Sequence, residues 1–348
     1  MTRGCNRALN RALTIALVLC CPLLRAAEPT AALPGRPASF DMSRETIRQF
    51  ASDMTRHGFA AQEITAWLAD AQSQPRILEA IQRPAERTLA WWEYRQRFLT
   101  EERVAGGVQV WRQNAAALER IAASTGVPAE YLVAITGVET LYGRITGRYR
   151  VLDALATLAF DYPPRADFFR AELEQFLLMS REEKLDPRVP TGSYAGAMGI
   201  PQFMPSSFRR FAVDGNADGR RDLWTEGPDV FASVGNYLRE HGWVAGQPVL
   251  AEAFHDAPPD DPAAVTLALN QTLDGLRGRG YQFDSALPGS TAVMLVPAQL
   301  RDSTIWRVGF ANFYAITRYN RSALYAMAVH ELARAIATRY QAQPASST

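Results

Sequence analysis

From Ser43 onward, apolar side chains recur three and four positions apart, the spacing that gathers them on one face of a helix. Ile47, Phe50 and Met54 predict a first helix ending near Gly58, and Ile64, Trp67, Leu68 and Ala71 a second. Ile77, Leu78 and Ile81 follow Pro75 as a third. Val104, Val108, Trp111, Leu118 and Ile121 predict one longer helix, stopped by Gly126. Pro128 stands where a helix favours a first-turn proline, so the run from there to Gly143 reads as the next. Amphipathic runs at 168–179, 229–241 and 322–340 continue the pattern.

One stretch, 247–310, breaks it. The runs 265–269 (Val-Thr-Leu-Ala-Leu) and 291–296 (Thr-Ala-Val-Met-Leu-Val) are short, β-prone and bounded by Pro and Gly. The expectation is a mainly α fold (α+β) with a small inserted β-sheet.

The N-terminus obeys a different rule. Arg3, Arg7 and Arg11 precede an apolar run at 13–24, the layout of an export signal and too short to cross a bilayer comfortably. Residues 1–27 are read as that signal and 28–42, rich in Ala and Pro, as a tether. Ala26 and Ala27 offer a small-residue exit behind Leu24 and Arg25, a weak cleavage pattern, so an uncleaved anchor is the alternative. Cys20 and Cys21 raise a lipid-modified end, although Leu19 and Cys20 are not the small residue such processing prefers. Cys5, Cys20 and Cys21 are the only cysteines, so the mature chain has none and thiol catalysis is excluded. Losing 1–27 removes four of 37 basic residues and none of 36 acids; the charge becomes 33 minus 36, or −3, no footprint for nucleic acid.

The run after Pro128 carries an anomaly. Leu132, Ile135, Glu139 and Tyr142 fall at helical spacing on one face, and one of the four is a carboxylic acid. An apolar setting disfavours the charged form and raises the pKa, which a general acid requires. The competing reading is a structural ion pair with Arg144 or Arg148.

Three blocks decide between them. Residues 137–143 (Gly-Val-Glu-Thr-Leu-Tyr-Gly) are followed by 193–207 (Ser-Tyr-Ala-Gly-Ala-Met-Gly-Ile-Pro-Gln-Phe-Met-Pro-Ser-Ser). Near the end come 312–322 (Asn-Phe-Tyr-Ala-Ile-Thr-Arg-Tyr-Asn-Arg-Ser) and 325–329 (Tyr-Ala-Met-Ala-Val). With 91–95 (Trp-Trp-Glu-Tyr-Arg), they resemble the membrane-bound lytic murein transglycosylase B family over nearly the whole mature chain. The resemblance implies a lysozyme-like core near 126–245, flanked by a helical part (43–125), a β region (247–310) and a C-terminal helical part (311–340). It also implies cleavage of the β-1,4 bond between N-acetylmuramic acid and N-acetylglucosamine without water, leaving a 1,6-anhydro end. Glu139 matches the catalytic acid, which then serves as base. Tyr94, Arg165, Ser193, Gln202, Tyr237, Tyr319, Asn320 and Tyr325 match cleft residues that contact the sugar. Read without the family, these are ordinary half-buried tyrosines and a tight packing turn.

Residues 214–222 add a separate signal. Asp214, Asn216 and Asp218 alternate ahead of Gly219, the opening of a calcium loop, but Thr225 stands where the closing glutamate belongs. The family resembles an EF-hand with a lengthened loop, which makes Asp229 the closing ligand and leaves Arg220 to contribute its carbonyl. An acidic turn without an ion is the alternative. The implied ion is structural, and catalysis needs no cofactor. His57, His241, His255 and His330 show no zinc spacing and read as surface or capping residues.

The partners expected are peptidoglycan glycan strands and cell-wall synthesis proteins, with outer-membrane association if the chain is lipidated. A periplasmic monomer is expected. The rivals are a muramidase on the same scaffold and a non-catalytic peptidoglycan-binding or calcium-sensing protein.

Overall fold

The structure, a computed structural model, describes residues 35–82, 89–256 and 266–342. The expected export signal lies outside the described residues. Ala38–Ser39 pairs with Gln72–Ser73, and Phe40 is buried in the core, so the last part of the expected tether is packed structure.

Helices dominate, as the apolar period predicts: α1 (Glu45–Asp53), α2 (Ala61–Asp70), α3 (Pro75–Gln82) and α4 (Trp91–Phe98) come first. The longer helix expected next is two, α5 (Glu101–Gln113) and α6 (Ala115–Thr125), broken at Asn114. The Asn114 side chain donates to the Val110 carbonyl at 2.9 Å, the local competition that makes asparagine a poor interior residue. Then follow α7 (Ala129–Thr140), with Pro128 just outside its first turn, α8 (Val151–Asp161) and α9 (Ala166–Glu182). The rest are α10 (Pro205–Phe211), α11 (Gly227–Glu240), α12 (Leu273–Gly278), α13 (Ala311–Tyr319) and α14 (Ala323–Ala342).

Two of these lie at the centre. Every residue from Tyr131 to Thr140 in α7 is buried, as is every residue from Val151 to Phe160 in α8. A helix apolar all round has no solvent face, and it must be wrapped by others. Around α7 stand α5, α6, α11 and α14. The polar residues of α8 are buried with partners: Asp153 accepts from Gln72 N–H and from Arg150, and Thr157 from Gln74 N–H.

The inserted sheet has four antiparallel strands in the order β1, β4, β3, β2: β1 (Leu250–Ala253), β2 (Gln271–Thr272), β3 (Ala292–Gln299) and β4 (Thr304–Gly309). Thr266 to Leu269, expected as a strand, is not one; the edge pairing falls at Gln271–Thr272, and Val265 lies outside the described residues. Strand β3 is almost continuously buried because both its faces are covered. Val293 and Leu295 join Leu273, Leu276, Tyr281 and Val308 in a small second core, while Met294, Val296 and Ala298 face the main one. The sheet is thereby fastened to α4 by packing and to α14 by the Arg307–Glu331 ion pair, and both helices also carry site residues.

Candidate active site

Glu139 sits in the last turn of α7 and is 8% exposed. Among the described residues no ion pair holds it: Arg144, one expected counter-charge, pairs instead with Glu102 at 2.6 Å, and no hydrogen bond or ion pair joins Glu139 to Arg148. Its one hydrogen-bond partner among the described residues is the Tyr325 hydroxyl, which donates to Oε1 at 2.5 Å. Burial drives the Glu139 pKa up from 4.5 to about 7, and the Tyr325 bond offsets part of that rise. The negative end of the α7 dipole lies at the same turn and acts in the same direction as burial. Near neutral pH a large fraction of this carboxyl is protonated.

Four tyrosines from four other helices enclose it. Tyr94 (α4), Tyr237 (α11), Tyr319 (end of α13) and Tyr325 (α14) are all buried or nearly so. Burial raises each phenol first, and the Glu139 charge raises each further, which places all four within its electrostatic reach; Tyr237 is pushed up to about 12. Rings of Tyr237 and Tyr319 meet at 4.8 Å, and Tyr319 and Tyr325 are parallel at 6.4 Å. Two hydroxyls are tied to main chain: Tyr319 donates to Pro201 O and Tyr237 to Arg318 O, both at 2.6 Å. These phenols therefore hold their rings in place and do not compete for Glu139.

The chain beyond Glu139 is turned sharply. Leu141 and Tyr142 have φ of 50° and 60°, the left-handed region that costs a side chain energy. Tyr142 is consequently not on the α7 face expected for it. Its ring folds back between α5 and α7, and its hydroxyl donates to Arg103 O at 2.6 Å. Gly137 and Gly107 make the room, since a Cβ on either would stand 2.6–2.7 Å from that hydroxyl.

The turn abuts the glycine-rich block. Thr140 donates to Ile200 O at 2.9 Å, and Gln202 Nε2 donates to Thr146 O at 3.1 Å. Gln202 Oε1 is buried without a partner, as is Asn320 Oδ1 beside Tyr319; both are acceptors free for a ligand's donor. Ser193 differs. Its hydroxyl accepts from Ala195 and Ala197 N–H, so in this structure it closes a turn. Arg165 is half-buried, stacked over Phe168 and Phe169, and no hydrogen bond or ion pair joins it to Glu139. Phe203 and Phe211, absent from the sequence expectations, complete the ring cluster against Tyr237 at 5.6 and 4.9 Å.

The other buried acids are committed elsewhere: Asp153 to Arg150, Glu172 to Ser206, and Asp229 to the 214–222 loop. In that loop Asp214 accepts from Asp218 and Gly219 N–H, and fully buried Asp229 accepts from Gly215 and Asp222 N–H. Among the described residues no three His, Cys, Asp or Glu side chains gather to chelate an ion, so a cation would need Asn216 and the Arg220 carbonyl as well. The donors are all oxygens, the chemistry calcium takes. Burial raises the Asp229 pKa, and the nearby Asp214 charge raises it further, a strain that a divalent cation would relieve.

His241 does cap α11, its Nδ1 lying 2.7 Å from Tyr237 O. His330 is not a cap: it lies half-buried within α14, 2.8 Å from the Tyr131 hydroxyl, and burial beside Arg307 and Arg334 pushes its pKa down to about 4.

A carboxyl with a raised pKa, at the end of a buried helix and faced by tyrosines, has the chemistry that a general acid requires. The Transglycosylase SLT domain model matches residues 42–334, and the chain belongs to this family of lytic transglycosylases, enzymes of lysozyme-like fold. It is 40% identical over 300 residues to the membrane-bound lytic murein transglycosylase B of Escherichia coli K12, covering 83% of this chain and 82% of the relative. The catenated lytic transglycosylase SltB1 of Pseudomonas aeruginosa is 47% identical with a TM-score of 0.83, covering 86% of this chain and 99% of that one. The Escherichia coli lytic transglycosylase Slt35 in complex with calcium is 38% identical with a TM-score of 0.79, covering 88% and 97%.

Proposed function

We propose that Glu139 is the acid, and then the base, of a lytic transglycosylase acting on peptidoglycan. The observation that carries this reading is the buried, unpaired carboxyl whose pKa is raised to about 7. In the first step Glu139 gives its proton to the glycosidic oxygen, and the bond from that oxygen to the muramic anomeric carbon breaks. The C6 hydroxyl of the same sugar then bonds to the anomeric carbon, and its proton passes to the Glu139 carboxylate. The acid is restored and no water is consumed. Ordinary glycosidases use two carboxylates; the commitment of Asp153, Glu172 and Asp229 elsewhere favours the one-carboxylate route over a muramidase.

Tyr325 stabilises the intermediate carboxylate, since its hydrogen bond favours the charged form. Tyr94, Tyr237 and Tyr319 offer ring faces to the sugars, and Gln202 and Asn320 supply the free acceptors. Arg165 and Ser193 are assigned to substrate binding on the family likeness alone. Asp214, Asn216, Asp218, Arg220 and Asp229 would hold calcium; the all-oxygen set and the calcium in the Slt35 complex support this. Bound there, the ion would neutralise the loop's carboxylates and fix the start of α11, the helix carrying Tyr237. The murein named for the Escherichia coli relative supports an envelope location, and the 1–27 segment supports export.

The test is mass spectrometry of peptidoglycan digested by the wild type and by Glu139→Gln. Products ending in 1,6-anhydro-muramic acid, lost in the variant, are expected. Reducing muramic ends would make the protein a hydrolase, and undiminished cleavage by the variant would remove Glu139 from the mechanism.

A further inference from the structure

A cavity of about 780 Å³ opens between α4, α14 and the sheet, apart from Glu139. Its lining includes four arginines, Arg95, Arg301, Arg307 and Arg334, against two acids, Glu252 and Glu331. Glu331 is fully engaged: one oxygen accepts from Arg307 Nη2 and the other from Arg95 Nε, both at 2.6 Å. Arg307 is the unusual member. It is 8% exposed, lines the cavity from β4, and its Nη1 is buried with no hydrogen-bond partner. A buried charged donor left unmade is costly, more so than a neutral one. The Trp91 ring lies 5.5 Å from its guanidinium, and the Trp92 ring 4.6 Å from that of Arg301. Flat rings thus help hold two cations of a wall whose charge exceeds its acids by two. His330 on the same wall adds no charge near neutral pH.

We infer that this cavity binds an oxyanion, a carboxylate or a phosphate, which accepts from Arg307 Nη1 and from the exposed Arg301 and Arg334. Guanidinium groups match both anions in geometry. The site does not rest on the role proposed for Glu139. Along α14, Arg334 follows Tyr325 by nine residues, about 14 Å of rise and 2.5 turns, so the cavity and the acid lie on opposite faces of that helix.

The experiment is a thermal-shift and calorimetric titration of the full chain with inorganic phosphate and with acetyl-dialanine, using the amidated dipeptide as control. Saturable binding of either anion is expected, weakened at least tenfold in Arg301→Gln/Arg334→Gln. That pair is exposed and leaves the core intact; Arg307→Met, if it folds, is expected to abolish binding. Tighter binding of the peptide carboxylate or of phosphate identifies which source the site prefers. No saturable binding of either probe, an unchanged affinity in the double variant, or an equal response to the amidated peptide would overturn the inference.

Discussion

Replacing Glu139 with glutamine keeps the shape of the side chain and removes its titration. In the native protein the carboxyl titrates near 7 against an ordinary 4.5, a gap of 2.5 units. At about 1.4 kcal/mol per unit, that gap corresponds to about 3 kcal/mol. The sign follows from proton counting. Between 4.5 and 7 the native state still holds a proton that the unfolded chain has released, so stability falls as pH rises through this window. The stabilising contribution is complete below the unfolded pKa and lost above the folded one. Glutamine suffers no such loss, and the remaining groups titrate alike in both proteins. The unfolding free energy of Glu139→Gln relative to wild type is therefore expected to grow by about 3 kcal/mol between about pH 4.5 and about pH 8. Urea unfolding at a series of pH values, with the slope checked for constancy, measures it. A difference that is flat with pH, or that narrows as pH rises, would mean that Glu139 is ionised throughout and is not the proton donor.

Three further outcomes follow from the same geometry. Tyr325→Phe removes the bond that favours the Glu139 carboxylate, so the alkaline limb of the pH–activity profile is expected to move upward by about one to two units, a charged hydrogen bond being worth about 1.5–3 kcal/mol; a limb that stays in place refutes the coupling. Gly137→Ala sets a Cβ against Tyr142 and is expected to cost about 1–3 kcal/mol in denaturant unfolding, with wild-type stability speaking against the tight fit. A chelator is expected to lower the melting temperature of the wild type but not of Asp214→Ala; equal responses would leave the loop without an ion.

The anomaly at Glu139 is legible in sequence because a carboxyl in a run of apolar residues has few structural reasons to be there. The neighbouring Tyr142 was misplaced by the same reasoning, since periodicity extends a helix past the point where two left-handed residues end it. Asn114 broke a helix that spacing alone joined, through a side-chain bond to the backbone that no hydrophobic pattern encodes. Helix α8 goes unread because apolar residues cover most of its surface, leaving only Asp153, Thr157 and Asp161 to mark a face. The cleft tyrosines could be named by family likeness, but their division into one that bonds the acid and two that bond carbonyls is a tertiary fact. The Arg307 cavity leaves no trace in sequence, because its arginines come from α4, the turn between β3 and β4, β4 and α14.

The acid and its hydroxyl partner lie 186 residues apart along the chain. Until the last helix has docked, a growing or partly threaded polypeptide contains Glu139 but not the environment that tunes it. Closing so long a loop comes late relative to local helix formation. Fragments that stop short of Ala323 therefore contain the carboxyl without the hydroxyl that bonds it. The docking of α14 thereby gates the tuning of the acid.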